Sequence, residues 1–213
     1  MTAPPAFLIE PLDRERHDRA AFTCGKDPLD RYLREQASQD TKRKAAVVFI
    51  ARRPDSLAVV GYYSLSQSSI RLDAVSQALR KRLPRYPDVP VTLLGRLAID
   101  TSAQRSGLGT LLLGDACRRA MAVSEEVAST GILVEAIDED AVAFYEKFGF
   151  VRFSEAANRL YLPMESLRAR PPQFPPSPSP GTPSHSPPRN SPPRGSAPLA
   201  PQAPAADTPT PRS

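Results

Sequence analysis

The sequence predicts an α/β fold, and two stretches carry that reading. The first, residues 91–122 (VTLLGRLAIDTSAQRSGLGTLLLGDACRRAMA), passes from a nearly unbroken apolar run through a glycine-bearing turn into an amphipathic segment. Residues 91–99 suit a strand covered on both faces. Leu108, Leu111, Leu112, Ala116, Ala120 and Met121 then recur near helical spacing. The second stretch repeats the order: GILVEAID (131–138) reads as a strand and AVAFYEKFGF (141–150) as a helix ending in Gly-Phe. Strand followed by helix, twice over, is the signature of a sheet covered by helices.

The remaining elements follow in chain order. Residues 7–12 form a short first strand. A turn at Cys24-Gly25 leads to Asp27-Pro28, a cap followed by a proline at the first helical position. Leu29, Tyr32, Leu33 and Ala37 mark the inward face of that helix, with Arg31, Arg34 and Glu35 outward. Residues 45–51 and 57–64 are strands joined by a hairpin turn at 52–56, and the second can continue towards Leu72. Residues 74–83 read as a short helix, and RYPDVP (85–90) as a loop feeding the central strand.

Of 25 prolines, 16 lie in residues 171–213, so the composition changes abruptly there. That proline-rich stretch has too few apolar residues to bury a core and reads as a disordered tail, 169–213. The domain is then 1–168, long enough for a sizeable core. Only Cys24 and Cys117 are present, which excludes a disulfide framework and leaves no metal site. No apolar run approaches membrane-spanning length, and MTAPPAFLIEPL lacks the regions of a signal peptide. The expectation is a soluble, cytoplasmic protein. The net charge of +5 does not itself indicate nucleic acid. Its distribution is more telling: Lys42, Arg43 and Lys44, then Arg52 and Arg53, then Arg80, Lys81, Arg82 and Arg85 are local clusters, each either solvated surface or a phosphate-binding patch.

Within the first stretch, Gln104-Arg105-Ser106-Gly107-Leu108-Gly109 sets two glycines one residue apart at a helix start. Unpaired N–H groups there, backed by the helix dipole, suit a pyrophosphate. The same glycines also fit an ordinary loop-to-helix junction. The pattern is neither a Walker loop nor the dinucleotide fingerprint.

Gln104, Gly107 and Gly109 match the Q/R-x-x-G-x-G/A pattern with which the GNAT family of acetyl-CoA-dependent N-acetyltransferases holds coenzyme A. The strand and FYEKFGF helix near the end of the domain match the family too. Residues 7–165 resemble one branch in particular, the toxins of bacterial type II toxin–antitoxin modules. Its FxCG…LDxYL opening, GYY-Ser-Leu strand, LGRLA strand and FYexfGF helix are met at 22–33, 61–65, 94–98 and 144–150. Two features depart from the branch: Arg105 stands where a glycine is common, and the proline-rich tail lies outside the pattern.

The resemblance implies a GNAT fold, a central mixed sheet with splayed parallel strands (94–99 and 132–137) flanked by helices. It implies acetyl-CoA as co-substrate, with backbone groups of Leu97, Ala98 and Ile99 pairing with the pantetheine arm and one N–H polarising the acetyl carbonyl. N–H groups of Arg105, Ser106, Gly107, Leu108, Gly109 and Thr110 would take the pyrophosphate. Tyr145 would deliver a proton to the coenzyme A sulfur. By spacing alone, Ala141, Phe144, Tyr145 and Phe148 share one helix face and Tyr145 reads as a core aromatic; it is the resemblance that gives it a site role.

No base is evident. His17 and His185 read as surface residues, while Glu135 or Asp138 could serve. An α-amine titrates near 7.7–8.0 and lysine near 10.4, so an α-amine acceptor needs less help and water could suffice. That agrees with what the branch implies: acetylation of the amino acid on aminoacyl-tRNA, which stops translation. The basic clusters would hold the tRNA phosphates. Arg96 is either a buried ion-pair partner or a residue of the acceptor pocket. A cognate antitoxin, often with a ribbon-helix-helix part, and a homodimer are further implications. An ordinary GNAT enzyme acting on a small-molecule or protein amine, or a non-catalytic acetyl-CoA-binding module, are the alternatives.

Overall fold

The computed structural model describes residues 7–81, 83–153 and 158–169. The expected tail therefore lies outside the described residues, as does Arg82. Seven strands form one sheet in the order β1-β2-β3-β4-β5-β7-β6. They are β1 Leu8–Pro11, β2 Val47–Arg52, β3 Val59–Arg71, β4 Asp88–Ile99, β5 Gly131–Glu135, β6 Val151–Arg152 and β7 Arg159–Pro163. Every neighbouring pair is antiparallel except β4 and β5. The expected mixed sheet flanked by helices is thus present.

Two helical layers cover it. On one face lies α1 (Asp27–Arg31), which continues through a π turn at Tyr32–Gln36 into α2 (Ala37–Arg43). The inward residues are the expected ones: Tyr32, Leu33 and Ala37 pack with Val48, Ile50 and Tyr62. The cap differs from the expectation. Lys26 is the cap and Pro28 the second helical residue, while Asp30 reaches back to accept from Cys24 N–H (2.8 Å) and Thr23 Oγ1 (3.0 Å). A carboxylate in the first turn can satisfy donors just upstream of the helix as well as a cap can.

On the same face, α3 is only Gln77–Arg80, because Pro84 bars a further turn in the segment expected to be helical to 83. The expected loop at 85–90 is shortened in turn, since Val89, fully buried, already pairs with Ile70 in the sheet.

The opposite face is covered by α4 (Leu108–Val123), α5 (Glu139–Glu146) and α6 (Met164–Ala169). Leu108, Leu112, Leu113, Ala116 and Ala120 of α4 are buried there with Val134, Val142 and Leu167. A Cβ on Gly61 would stand 3.0 Å from Leu112 Cδ1, so glycine lets α4 approach β3 closely. Asp115, a buried carboxylate on α4, accepts from Tyr63 Oη (2.5 Å) and Arg119 Nε (2.8 Å), which keeps its charge compensated.

One residue shapes the middle of the sheet. Ser64 pairs with Arg96 and Leu65 with Leu94, so Gly95 is an extra residue in β4, a bulge. A Cβ there would sit 3.2 Å from Ser64 Oγ. The parallel pairing of β4 with β5 covers only Thr92, Leu93 and Leu94 and stops at the same point. Past the bulge the two strands part, and the edge of β4 from Gly95 to its end is left open.

Candidate active site

The open edge has a definite polarity. Asp100 N–H donates to Val60 O at 2.9 Å. Antiparallel alternation then turns the N–H and C=O groups of Ala98 and Arg96 towards β3 and those of Leu97 and Ile99 to the gap. Leu97 therefore turns both its N–H and C=O to the gap, and Ile99 its N–H, its C=O accepting from Gln104 Nε2 (3.2 Å). Ala98 does not: its backbone is engaged with β3 and its side chain is 4% exposed beneath α1.

The start of α4 stands at the same end of the gap. Gly107 is its cap, at φ +83°, and carries no side chain to cap with. The first backbone bond of the helix is Leu111 N–H to Gly107 O (3.1 Å), so the N–H groups of Leu108, Gly109 and Thr110 point off the helix end. Sixteen residues of aligned peptide dipoles stand behind them. Arg105 also has positive φ, +60°. This explains why a glycine is common at that position in the resembling branch, since a side chain there is strained. The arginine side chain is exposed at that position. Ser106 Oγ is spent on Ala103 O (2.6 Å).

Gln104 has a supporting part. Its Nε2 donates to Ile99 O (3.2 Å) and to Cys24 O (3.1 Å), tying the end of β4 to the turn before α1. Asp100 reinforces that tie by accepting from Thr23 N–H (2.9 Å), and Thr101 N–H donates to Thr23 O (2.8 Å). Lys26 then reaches Asp138 Oδ2 at 2.9 Å, linking the β4 side of the gap to the cap of α5. None of these long-range ties is visible in sequence. The Asp-Thr-Ser run at 100–102, a cap-like signal, is the nearest local hint.

Asp138 caps α5 by accepting from Ala141 N–H (2.9 Å). Phe144, in the middle of the helix, packs against the start of α4: its ring lies 3.8 Å from where a Cβ on Gly109 would be. Tyr145 is 6% exposed, its ring 5.3 Å from those of Phe144 and Phe150. Its hydroxyl has no hydrogen-bond partner among the described residues. Tyr32 Oη is the one fully buried side-chain polar atom among them that lacks a partner, so Tyr145 Oη keeps contact with solvent. Burial pushes the Tyr145 hydroxyl well above the usual tyrosine range, and the phenol stays protonated at neutral pH.

The candidate bases are occupied. Glu135 is paired with Arg159 (2.5 Å) and Asp138 with Lys26. His17, expected at the surface, is instead 5% exposed, within hydrogen-bond distance of Glu10 Oε1 (2.8 Å), and accepts from Asp13 N–H (3.0 Å). His185 lies outside the described residues. Burial raises both thiols, Cys24 and Cys117, to about 12, which leaves neither a ready nucleophile. Among the described residues no group of His, Cys, Asp and Glu could hold a metal. No helix among them is long and apolar enough to cross a membrane.

The basic residues divide. Arg52 is buried, with Nε on Glu10 Oε1 (2.6 Å) and Nη1 on the carbonyls of Arg53, Pro54 and Ser56, so its expected role as a phosphate contact is corrected. Its charge serves to hold the β2–β3 turn. Arg53 is exposed, near the Phe7 ring (5.9 Å). Lys42, Arg43 and Lys44 are exposed at the end of α2, and Arg80, Lys81 and Arg85 around α3. Both groups lie on one face of the sheet. Tyr62 and Ile70, an even number of residues apart on β3, pack under α1–α2 and α3 respectively. Arg96 belongs to that face too, stacked on the Tyr32 ring at 3.6 Å. It forms no ion pair with a described residue, which removes the ion-pair reading.

A split parallel pair, a helix start without a side-chain cap and a buried tyrosine thus meet on one side of the sheet. Residues 45–152 match the acetyltransferase (GNAT) domain family. The chain is 34% identical over 152 residues, 71% of its length and 89% of the relative's, to a tRNA-acetylating toxin of Mycobacterium tuberculosis (strain H37Rv). Among solved structures it is similar to AtaT complexed with acetyl-methionyl-tRNAfMet, with TM-score 0.70 and 32% identity over 76% of this chain and 98% of that one. It is also similar to an AtaT mutant toxin bound to the C-terminus of the antitoxin AtaR and acetyl-CoA, with TM-score 0.66 and 29% identity over 76% and 96%.

Proposed function

We propose that this chain, which belongs to the GNAT family of acetyltransferases, is a toxin that transfers the acetyl group of acetyl-CoA to the α-amine of aminoacyl-tRNA. The observation that carries the reading is the coincidence of three features at one end of β4. They are the end of β4–β5 pairing at Leu94, the outward backbone groups of Leu97 with the Ile99 N–H, and the N–H-rich start of α4. The similarity to a tRNA-acetylating toxin and to AtaT with acetyl-methionyl-tRNA supports the choice of acceptor.

In this mechanism the pyrophosphate lies on the N–H groups of residues 105–110. The pantetheine arm pairs with Leu97 and Ile99 as an added strand, and an N–H of that pair polarises the acetyl carbonyl. The acceptor amine arrives from the face that carries Arg96 and the basic clusters. Its nitrogen attacks the carbonyl carbon, the C–S bond breaks, and Tyr145 Oη gives its proton to the departing sulfur. The nitrogen loses its proton to water, which suffices for an α-amine titrating near 7.7–8.0. An acetylated α-amine is no longer a nucleophile, so the tRNA is lost to elongation in the cytoplasm, where we place the protein. An antitoxin of the AtaR kind would restrain it.

Initial rates on charged tRNA across salt concentrations test the acceptor. Neutralising Lys42, Arg43 and Lys44 together, or Arg80, Lys81 and Arg82 together, is expected to raise KM. Each lost phosphate contact should flatten the log–log salt slope by about 0.7–0.9. Acetyl-CoA affinity should stay as it was. A slope near zero that neither triple substitution alters would point to a small-molecule or protein amine instead.

We also assign residues 1–168 to the catalytic domain and 169–213 to a tail that it does not need. Leu167, 3% exposed, is the last described side chain in the core. A chain ending near Arg170 is expected to keep the full chain's melting temperature and to acetylate with kinetics close to those of the full chain, since so few apolar residues are removed. Loss of folding or activity would move the boundary.

A further inference from the structure

We propose that Tyr86, with Arg80, Arg85 and Asp88, forms a distal RNA-binding site for the double-helical arm of the acceptor; the proposal rests on charged tRNA being the substrate. Tyr86 is 67% exposed, more than any other large apolar side chain among the described residues. A single exposed ring is ordinary in itself, but the mount and the neighbours of this one are not. Leu72 N–H donates to Pro87 O at 2.9 Å, and Asp88 enters the sheet opposite Arg71 one residue later. Beneath the loop, Leu79, Leu83 and Val89 are buried. The ring is therefore presented to solvent from a fixed base.

Beside it lies a concavity of about 520 Å³, lined by Arg71, Asp73, Arg80, Arg85 and Asp88. Arg71 is committed to Asp73 (2.6 Å), whereas Arg80 and Arg85 form no ion pair with a described residue. The charges divide the ligand in a definite way. A phosphate near Asp88 would meet a like charge, so phosphates belong on the side of Arg80 and Arg85, which also line a neighbouring hollow with Lys81 and no carboxylate. The carboxylate of Asp88 suits a ribose 2′-hydroxyl donor, and the Tyr86 ring the apolar face of a sugar or base. Acceptor, ring and cations together fit RNA, read in its shallow minor groove.

The location selects the part of the tRNA. Asp88 and Leu97 are nine residues apart on β4, or about 30 Å at strand rise. A site that far from the acetylated amine meets the helical arm and not the amino acid or its terminal nucleotide.

The test uses the full-length protein with two acceptors, charged tRNA and an aminoacylated CCA trinucleotide. Tyr86→Ala should raise KM for charged tRNA by about tenfold, the equivalent of about 1.4 kcal/mol of lost contact. It should leave kcat, the salt slope and the trinucleotide KM unchanged, and Tyr86→Trp should restore KM. Arg85→Ala should instead flatten the slope by about 0.7–0.9. An unchanged KM for charged tRNA in Tyr86→Ala would overturn the proposal while leaving the acceptor assignment standing. Equal losses on both acceptors would overturn it as well, by showing that Tyr86 acts through the catalytic centre. Failure of the unaltered chain to acetylate any charged tRNA would refute both.

Discussion

Tyr145→Phe is expected to lower turnover on charged tRNA by about 10²–10⁴-fold, the usual span for losing a general acid. Acetyl-CoA affinity and melting temperature should not change. The hydroxyl has no hydrogen-bond partner among the described residues, so its removal leaves none broken, and the ring contacts with Phe144 and Phe150 remain. Steady-state rates, calorimetric titration with acetyl-CoA and a thermal melt check the three parts. Wild-type turnover in a folded variant would return Tyr145 to the core. The pH profile gives a further sign. Burial raises the Tyr145 pKa, so the proton needed by the sulfur is retained well into the alkaline range. The neutral amine, in contrast, becomes more abundant as pH rises through about 7.7–8.0. The value of kcat/KM should climb through that window and then level off, without a fall at the ordinary tyrosine pKa.

Gly109→Asp is expected to abolish acetyl-CoA binding in a protein that is at least as stable as the parent. A Cβ at Gly109 meets only Ile99 and Phe144, both at 3.8 Å, so the fold accommodates it. A carboxylate in the first turn of α4 also favours the helix dipole. The same carboxylate stands where the pyrophosphate must lie. One pair of like charges 4 Å apart costs about 4 kcal/mol at an effective dielectric of 20, or about three decades of affinity. Gly107→Asp should lose binding too, though its φ of +83° adds backbone strain and makes it the less clean variant. Undiminished calorimetric binding in folded Gly109→Asp would remove the phosphate from this loop.

What the sequence determined by itself is local. The run at 91–99, the two glycines and the apolar spacing of α4 are each contained within a dozen or so residues, and backbone propensity and periodicity act over that range. The inward face of the helical stretch from α1 to α2, with Tyr32, Leu33 and Ala37, was legible for the same reason. So was the position of Tyr145 one residue after Phe144 on α5, although spacing could not tell a proton donor from a core aromatic.

Tertiary structure decided the matters that depend on partners far along the chain. Arg52 and His17 look like any solvated residues in sequence, and it is Glu10, on β1, that draws both inward. Glu135 and Asp138 look like free bases until Arg159 and Lys26 are set beside them. The gap itself is a matter of register. Gly95 is unremarkable among ten glycines until Ser64 is found paired with Arg96 and Leu65 with Leu94. A bulge exists only relative to the strand opposite, and a slip of one residue reverses which groups of Leu97, Ala98 and Ile99 face the ligand.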